Sequence, residues 1–146
     1  MKPRTRARGL ALQALYEIDI AGHPPGQVLE ERLAEGPLEE SLVTFVTQIV
    51  AGVLPLVQEL DTIIAQHAPE WPLDQVATID RNILRIALWE IAVSNQTPIK
   101  VAINEAVELG KVYGSESTPR FVNGVLGSLV LHYQEIVADL HKKNTR

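Results

Sequence analysis

Residues 78–94, TIDRNILRIALWEIAVS, carry the pattern that decides the fold. Their apolar residues recur at three- and four-residue spacing, which predicts the buried stripe of an amphipathic helix. These residues are Ile79, Ile83, Ile86 and Ala87. Arg81, Arg85 and Trp89 form a second stripe on the opposite side of the helix. Arginines beside an aromatic ring suit RNA phosphates and bases, but they equally suit pairing with acidic residues around a core tryptophan. Both interpretations stay open.

Helical patterns continue on the N-terminal side of this stretch. We predict helices over 3–21, 27–35 and 38–67, the last of them kinked at Pro55. The first ends at the turn sequence 22–26, GHPPG, and the third ends before a break at 68–72, APEWP.

The C-terminal side predicts further helices with recognisable caps. Thr78 is a candidate N-cap with Asp80 in the first turn, and Thr97 precedes a helix that starts at Pro98 and ends near residue 114. Ser117 or Thr118 caps a final helix that fades into the polar tail 141–146. Gly124 and Gly127 inside it indicate close approach of another helix. Since no segment shows strand periodicity, the fold class is all-α, with about seven helices.

Composition narrows the class of protein. The chain has 146 residues, enough for one domain or two closely packed halves, and no cysteine, which excludes disulfides and thiolate chemistry. No apolar run is predicted to span a bilayer, so we expect a cytoplasmic protein without a membrane partner. The four histidines lack metal-ligand spacing, and no nucleophile set can be nominated, so neither a metal, a cofactor nor an enzymatic activity is predicted.

Charge is distributed unevenly on this acidic chain of net charge −5. Residues 1–16 contain four basic and no acidic side chains, whereas residues 17–74 contain eleven acidic side chains and a single basic one, Arg32. The basic residues of the N-terminal arm (residues 2–8) are Lys2, Arg4, Arg6 and Arg8. Cations on a short arm suit phosphate contacts, and the acidic part suits a basic protein. A merely polarised surface is the alternative.

Three stretches resemble the NusB family of bacterial transcription antitermination factors. They are RTRARGLALQALY at 4–16, DRNILRIALWEI at 80–91 and PIKVAINEAVELGKVYGSESTPRFVNGVLG at 98–127. The resemblance implies a single NusB-like domain of two packed helical bundles, with an N-terminal half (1–70), a C-terminal half (71–133) and an extension (134–146). It also implies a non-enzymatic role: binding boxA RNA together with NusE, a small-subunit ribosomal protein, so that the transcription complex reads through ribosomal RNA operons.

The resemblance also assigns residues by position. The RNA-binding candidates are Lys2, Arg4, Arg6, Arg8, Arg81, Arg85, Ser117 and Phe121. Tyr16 and Asp80 match positions near the NusE contact. Phe121 suits base stacking or core packing equally well. The arm departs from the family pattern at Thr5, where relatives often have arginine, and at Gly9, where glutamate is common.

Two other functions are compatible with these residues. One is an RNA-positioning module related to the NusB-like domain of RNA cytosine methyltransferases, although this chain has no cysteine nucleophile of its own. The other is a homodimeric scaffold that masks its own RNA surface.

Overall fold

Eight α-helices make up the computed structural model, which describes the backbone of residues 2–144 and their side chains except those of residues 73, 143 and 144. The helices are α1 (Pro3–Ala21), α2 (Pro25–Leu33), α3 (Glu40–Val53), α4 (Val57–His67), α5 (Thr78–Trp89), α6 (Ile99–Tyr113), α7 (Thr118–Val130) and α8 (Tyr133–Asn144). No strand occurs between residues 2 and 144, so the all-α prediction is confirmed.

Helix α1 has the bounds that its terminal residues predict. Pro3 occupies the first turn, where its missing N–H is not needed. At the other end Gly22 adopts a left-handed conformation with φ of 67°, and its N–H donates to the Ile18 carbonyl at 3.1 Å. Only glycine takes that conformation freely, so the helix stops there.

Pro55 divides the predicted long helix into α3 and α4, which are joined by a 3-10 turn at Leu54–Leu56. The expectation that no apolar run is long enough to span a bilayer is corrected here. The stretch Glu40–His67 as a whole is long and apolar enough to cross a membrane by length and composition. The same property is common in core helices of soluble proteins. Val46 and Ile49 of α3 and Ile64 of α4 are completely buried in the hydrophobic core.

Helix α5 is surrounded by other helices. It packs against α1, α3, α4, α6 and α7, so even its polar residues Asp80, Asn82 and Arg85 are buried. A π-helical turn, Glu90–Ser94, continues α5 and buries Glu90 as well. Because a buried polar group must find a partner, the contacts of these side chains determine how α1 and α5 fit together.

The prediction of a single final helix that fades into the polar tail is wrong, because that helix ends at Val130. The chain breaks at Leu131 and His132, and α8 follows as a separate helix whose Ile136 and Leu140 enter the core. No proline or glycine marks the break. The apolar residues at four-residue spacing draw α8 back onto the π-helical turn, which α8 contacts.

Several local predictions are also corrected. Ala77, not Thr78, is the N-cap of α5, and Thr97 donates to Glu90 at 3.2 Å while Pro98 is the N-cap of α6. Ser117 is the N-cap of α7, though without a side-chain cap bond. The two glycines of α7 face no helix: a Cβ at Gly124 would lie 3.8 Å from the Trp71 ring, and one at Gly127 would meet no described atom within 4 Å.

Candidate nucleic-acid interface

Arg8 anchors the N-terminal end of α1 to the end of α5. Its Nε and Nη2 donate to the two carboxylate oxygens of Glu90, each at 2.9 Å, and both side chains are 3% exposed. The Glu105 carboxylate of α6 lies 3.7 Å from Arg8 Nη1. Thr5 Oγ1 donates to the same Glu105 at 2.8 Å. The partner expected for buried Glu90 is therefore Arg8, and Arg8 is not free to meet a ligand.

The other cations of the arm face solvent. Lys2, Arg4 and Arg6 are exposed. The guanidinium carbon of Arg4 lies 3.8 Å from the centroid of the Phe45 ring, a cation–π contact that leaves its N–H groups available. Arg6 makes one long hydrogen bond, 3.4 Å, to the Pro37 carbonyl. We call these three exposed cations together the arm surface; they lie at the start of α1, whose position Arg8 fixes.

A second polar cluster holds the C-terminal end of α1. Asp19 Oδ2 accepts hydrogen bonds from Arg81 at 2.9 Å, Asn82 at 3.0 Å and Arg85 at 3.0 Å. Arg85 also donates from Nε and Nη2 to Asp61 of α4, at 2.8 and 2.7 Å. Burial raises the pKa of the Asp19 carboxyl, but the hydrogen bonds from Arg81 and Asn82 and the charge of Arg85 outweigh it, so its pKa is lowered overall.

The stripe of Arg81, Arg85 and Trp89 thus follows the second of its two interpretations. Both arginines pair with carboxylates of the acidic part, residues 17–74. Trp89 is 8% exposed and packs on Gly52 of α3, where a Cβ would overlap the indole ring. The Arg81 side chain remains 22% exposed, whereas that of Arg85 is 7% exposed.

An aromatic groove lies at the other end of α5. Phe121 and Trp71 meet edge to face, with ring centroids 6.2 Å apart and planes at 83°. Both rings line an open groove of about 410 Å³ with Ser117 and Asp80. We call this surface the aromatic groove. Trp71 is a groove residue that the sequence analysis treated only as part of a chain break; an aromatic residue between prolines was the available signal.

The two candidate protein-contact residues differ in accessibility. Tyr16 is half-buried on α1. Asp80 is only 8% exposed and accepts a 2.8 Å hydrogen bond from Thr118, which ties α5 to α7. Ile20, one turn after Tyr16, is 56% exposed and adds an apolar side chain to this end of α1.

The arm surface and the aromatic groove lie near opposite ends of α5. Arg8 marks one end through Glu90, and Asp80 lines the groove at the other. At 1.5 Å per helical residue these ends are about 15 Å apart. A single-stranded nucleic acid that touches both surfaces must therefore run along the helix pair.

Comparison with known proteins places the chain in one family. A sequence model of the NusB family matches residues 5–130. The transcription antitermination protein NusB of Roseiflexus castenholzii is 47% identical over 134 residues, which cover 90% of this chain and 94% of that protein. The NusB of Bacillus subtilis is 42% identical over 129 residues, covering 88% and 95% of the two chains.

A solved structure of the antitermination factors NusB and NusE in complex with double-stranded RNA contains a similar chain. It superposes with a TM-score of 0.83 at 28% identity and covers 91% of this chain and 99% of that one. The predicted resemblance is confirmed, and membership in a family of transcription antitermination proteins agrees with a non-enzymatic role. The chain belongs to the NusB family of transcription antitermination proteins.

Proposed function

We propose that this protein binds boxA-containing RNA together with NusE, and that it thereby supports read-through of ribosomal RNA operons by RNA polymerase. Family membership supports the general role, and a related NusB has been solved with NusE and RNA. The observation that carries the RNA part is the arm surface: Lys2, Arg4 and Arg6 are exposed on a rigidly anchored helix of an otherwise acidic protein.

We assign the phosphate contacts to the arm surface and the base contacts to the aromatic groove. Exposed cations suit phosphates, and the ring of Phe121 beside the hydroxyl of Ser117 suits an unstacked base. Arg81 is accessible enough to share its charge between Asp19 and a phosphate. Arg8 and Arg85 are positioning residues in this assignment, because RNA contact by either would require a buried ion pair to open.

NusE is assigned to the C-terminal end of α1, around Tyr16, Ile20 and the rim of the aromatic groove near Asp80. The acidic part of the chain, residues 17–74, gives a physical reason why a basic ribosomal protein binds nearby. A protein seated there would extend the RNA-binding surface beyond the groove.

The test is a titration of fluorescently labelled boxA-like RNA at several salt concentrations, with and without NusE. Three phosphate contacts predict a log–log salt slope of about −2 for single-stranded RNA. Simultaneous replacement of Lys2, Arg4 and Arg6 by alanine should flatten that slope and leave the melting temperature nearly unchanged. Single replacements of Lys2, Arg4 and Arg6 by alanine accompany the triple variant, and Lys111→Ala, which removes one exposed cation of α6, is the charge-matched control for each of them.

One result would contradict this assignment, and two others bear on the alternative functions. RNA affinity that does not change between about 50 and 200 mM salt would exclude the phosphate contacts. Co-purification with an RNA methyltransferase instead of NusE would favour the RNA-positioning module. A dimer that is unchanged by RNA binding would argue against a self-masking scaffold.

A further inference from the structure

Two histidines far apart in the sequence meet where α4 ends and α8 begins. His67 is the last residue of α4, and His132 lies in the short connection between α7 and α8. The centroids of their imidazole rings are 4.7 Å apart, and the ring planes are inclined by 33°. Glu135, in the first turn of α8, brings a carboxylate oxygen to 3.8 Å from His132 Nδ1. Three elements thus contribute one potential ligand each.

One of these ligands is a buried nitrogen without a partner. His67 Nε2 is inaccessible to solvent and makes no hydrogen bond with any described residue. Buried polar atoms are nearly always paired, and an unpaired one indicates a water or an ion. The other side chains at the site are a second imidazole and a carboxylate, and this combination of groups is typical of metal ligands.

The dimensions suit a small transition-metal ion. One ligand atom from each of the three side chains lies within 4.8 Å of the other two. Ligand atoms around a tetrahedral zinc ion with bonds near 2.0–2.2 Å are about 3.4 Å apart. The difference is within reach of side-chain rotation, because the His132 and Glu135 side chains are 42% and 69% exposed. Two imidazoles and one carboxylate suit zinc and its neighbours, and a water can complete the tetrahedron.

We propose that His67, His132 and Glu135 form a divalent transition-metal site of the zinc class. His132 and Glu135 are three residues apart along the chain, and the fold brings His67 to them. A bound ion would tie the end of α4 to the start of α8, whose Ile136 and Leu140 are part of the core. The site is therefore structural in character and independent of the proposed RNA contacts.

The test uses the full chain without a polyhistidine tag, treated with chelator and then titrated with Zn²⁺ alone by calorimetry. Co²⁺ serves as a spectroscopic probe of coordination geometry. We expect one Zn²⁺ per chain, a rise in melting temperature on Zn²⁺ addition, and the intense visible absorption of tetrahedral Co²⁺. His67→Gln and His132→Gln should each weaken Zn²⁺ binding at least tenfold, and Glu135→Gln should weaken it severalfold.

His23→Gln is the matched control, because His23 also pairs with a glutamate, Glu17, at 2.9 Å, but no third potential ligand joins them among the described residues. It should leave Zn²⁺ affinity unchanged. Circular dichroism of the metal-free variants checks that each is folded, and exposed His132 keeps the test valid if His67→Gln unfolds. The proposal is overturned if the His132→Gln chain binds Zn²⁺ as tightly as the parent, or if His23→Gln loses binding equally.

Discussion

Arg8 and Glu90 form a two-point ion pair, with both donor–acceptor distances 2.9 Å, between the start of α1 and the end of α5. Removing one member of a buried pair leaves the other charge unpaired and typically costs about 3–5 kcal/mol. We therefore expect Arg8→Ala to lower the free energy of unfolding by that amount in urea titrations. Arg6→Ala, which removes an exposed arginine from the same helix, should change it by less than about 0.5 kcal/mol.

A double replacement separates the net stability that the Arg8–Glu90 pair contributes from the cost of leaving one charge buried and unpaired. When both partners are exchanged for apolar residues of similar size, as in Arg8→Met with Glu90→Leu, the desolvation cost disappears. The double variant should therefore be more stable than Arg8→Ala alone. If it is less stable, the pair contributes net stability of its own, and the cost assigned to the unpaired carboxylate is wrong.

The lowered pKa of Asp19 leads us to expect that the folded protein loses stability in acid. Its folded-state pKa lies below the usual value of 3.8, so the unfolded chain takes up the proton first as the pH falls. The stabilisation is complete above the unfolded pKa and is lost as the pH drops through the lower folded value. Asp19→Asn should consequently destabilise the protein at pH 7 but much less near pH 2.5. Urea midpoints across this range measure the difference, with Asp139→Asn, an exposed carboxylate of α8, as the control.

The Tyr113 ring occupies the space that a Cβ at position 9 would need. This gives a physical reason for Gly9 at a position where glutamate is common in the family. A Cβ at Gly9 would overlap the Tyr113 hydroxyl and lie 3.1 Å from two ring carbons. We expect Gly9→Ala to lower stability, because an overlap costing about 1–3 kcal/mol exceeds the gain in helix propensity of about 1 kcal/mol. Gly127→Ala, in a helix with free space, should instead raise the melting temperature. If both variants change the melting temperature equally, the Tyr113 side chain moves aside to make room for the Cβ at position 9.

The two tryptophans should report RNA binding differently. Trp71 lines the aromatic groove, whereas Trp89 is buried against Gly52. A base stacked in the groove should alter the fluorescence of Trp71 alone, so the change on RNA addition should vanish in Trp71→Phe. Phe121→Ala should weaken RNA binding by about 1–3 kcal/mol, the usual value of one stacked base. A fluorescence change that persists in Trp71→Phe would place the RNA elsewhere.

We propose that Thr5, which stands where relatives often have arginine, makes this chain rely more on NusE for its affinity for RNA. Its hydroxyl donates to Glu105, so an arginine at this position would have a carboxylate beside it. Thr5→Arg should raise the affinity for RNA alone, and Thr5→Arg with Glu105→Gln should raise it further and steepen the salt slope by about 0.7. No gain in either variant would contradict the idea that a missing cation makes this chain rely on NusE.

Local sequence signals account for most of the helices and for some of their ends. Pro3, Gly22 and Pro55 have direct conformational effects, so the bounds of α1 and the division between α3 and α4 follow from them. The break at Leu131 has no such marker, because it arises from the docking of α8 on distant residues. Glu90 required a partner on physical grounds, yet nothing local identifies that partner as Arg8.

At the candidate site, too, some features follow from the local sequence and others only from how the helices pack. The positive charge of Lys2, Arg4 and Arg6 and their position ahead of the core could be read from the sequence. The pairing of Arg85 with Asp61, and the meeting of Trp71 with Phe121, depend on how helices pack. Side-chain type predicted which residues are chemically suited to RNA, but tertiary contacts decide which of these side chains are exposed.

The ion pairs at the two ends of α1 together set the register of that helix along α5. A slide of one turn, about 5.4 Å, would separate Arg8 from Glu90, whose side chains are both 3% exposed, and would disturb the hydrogen bonds that Asp19 accepts from Arg81, Asn82 and Arg85. The helix pair therefore keeps the distance between the arm surface and the aromatic groove constant, and under the proposed assignment this distance sets the number of nucleotides between the two contacts.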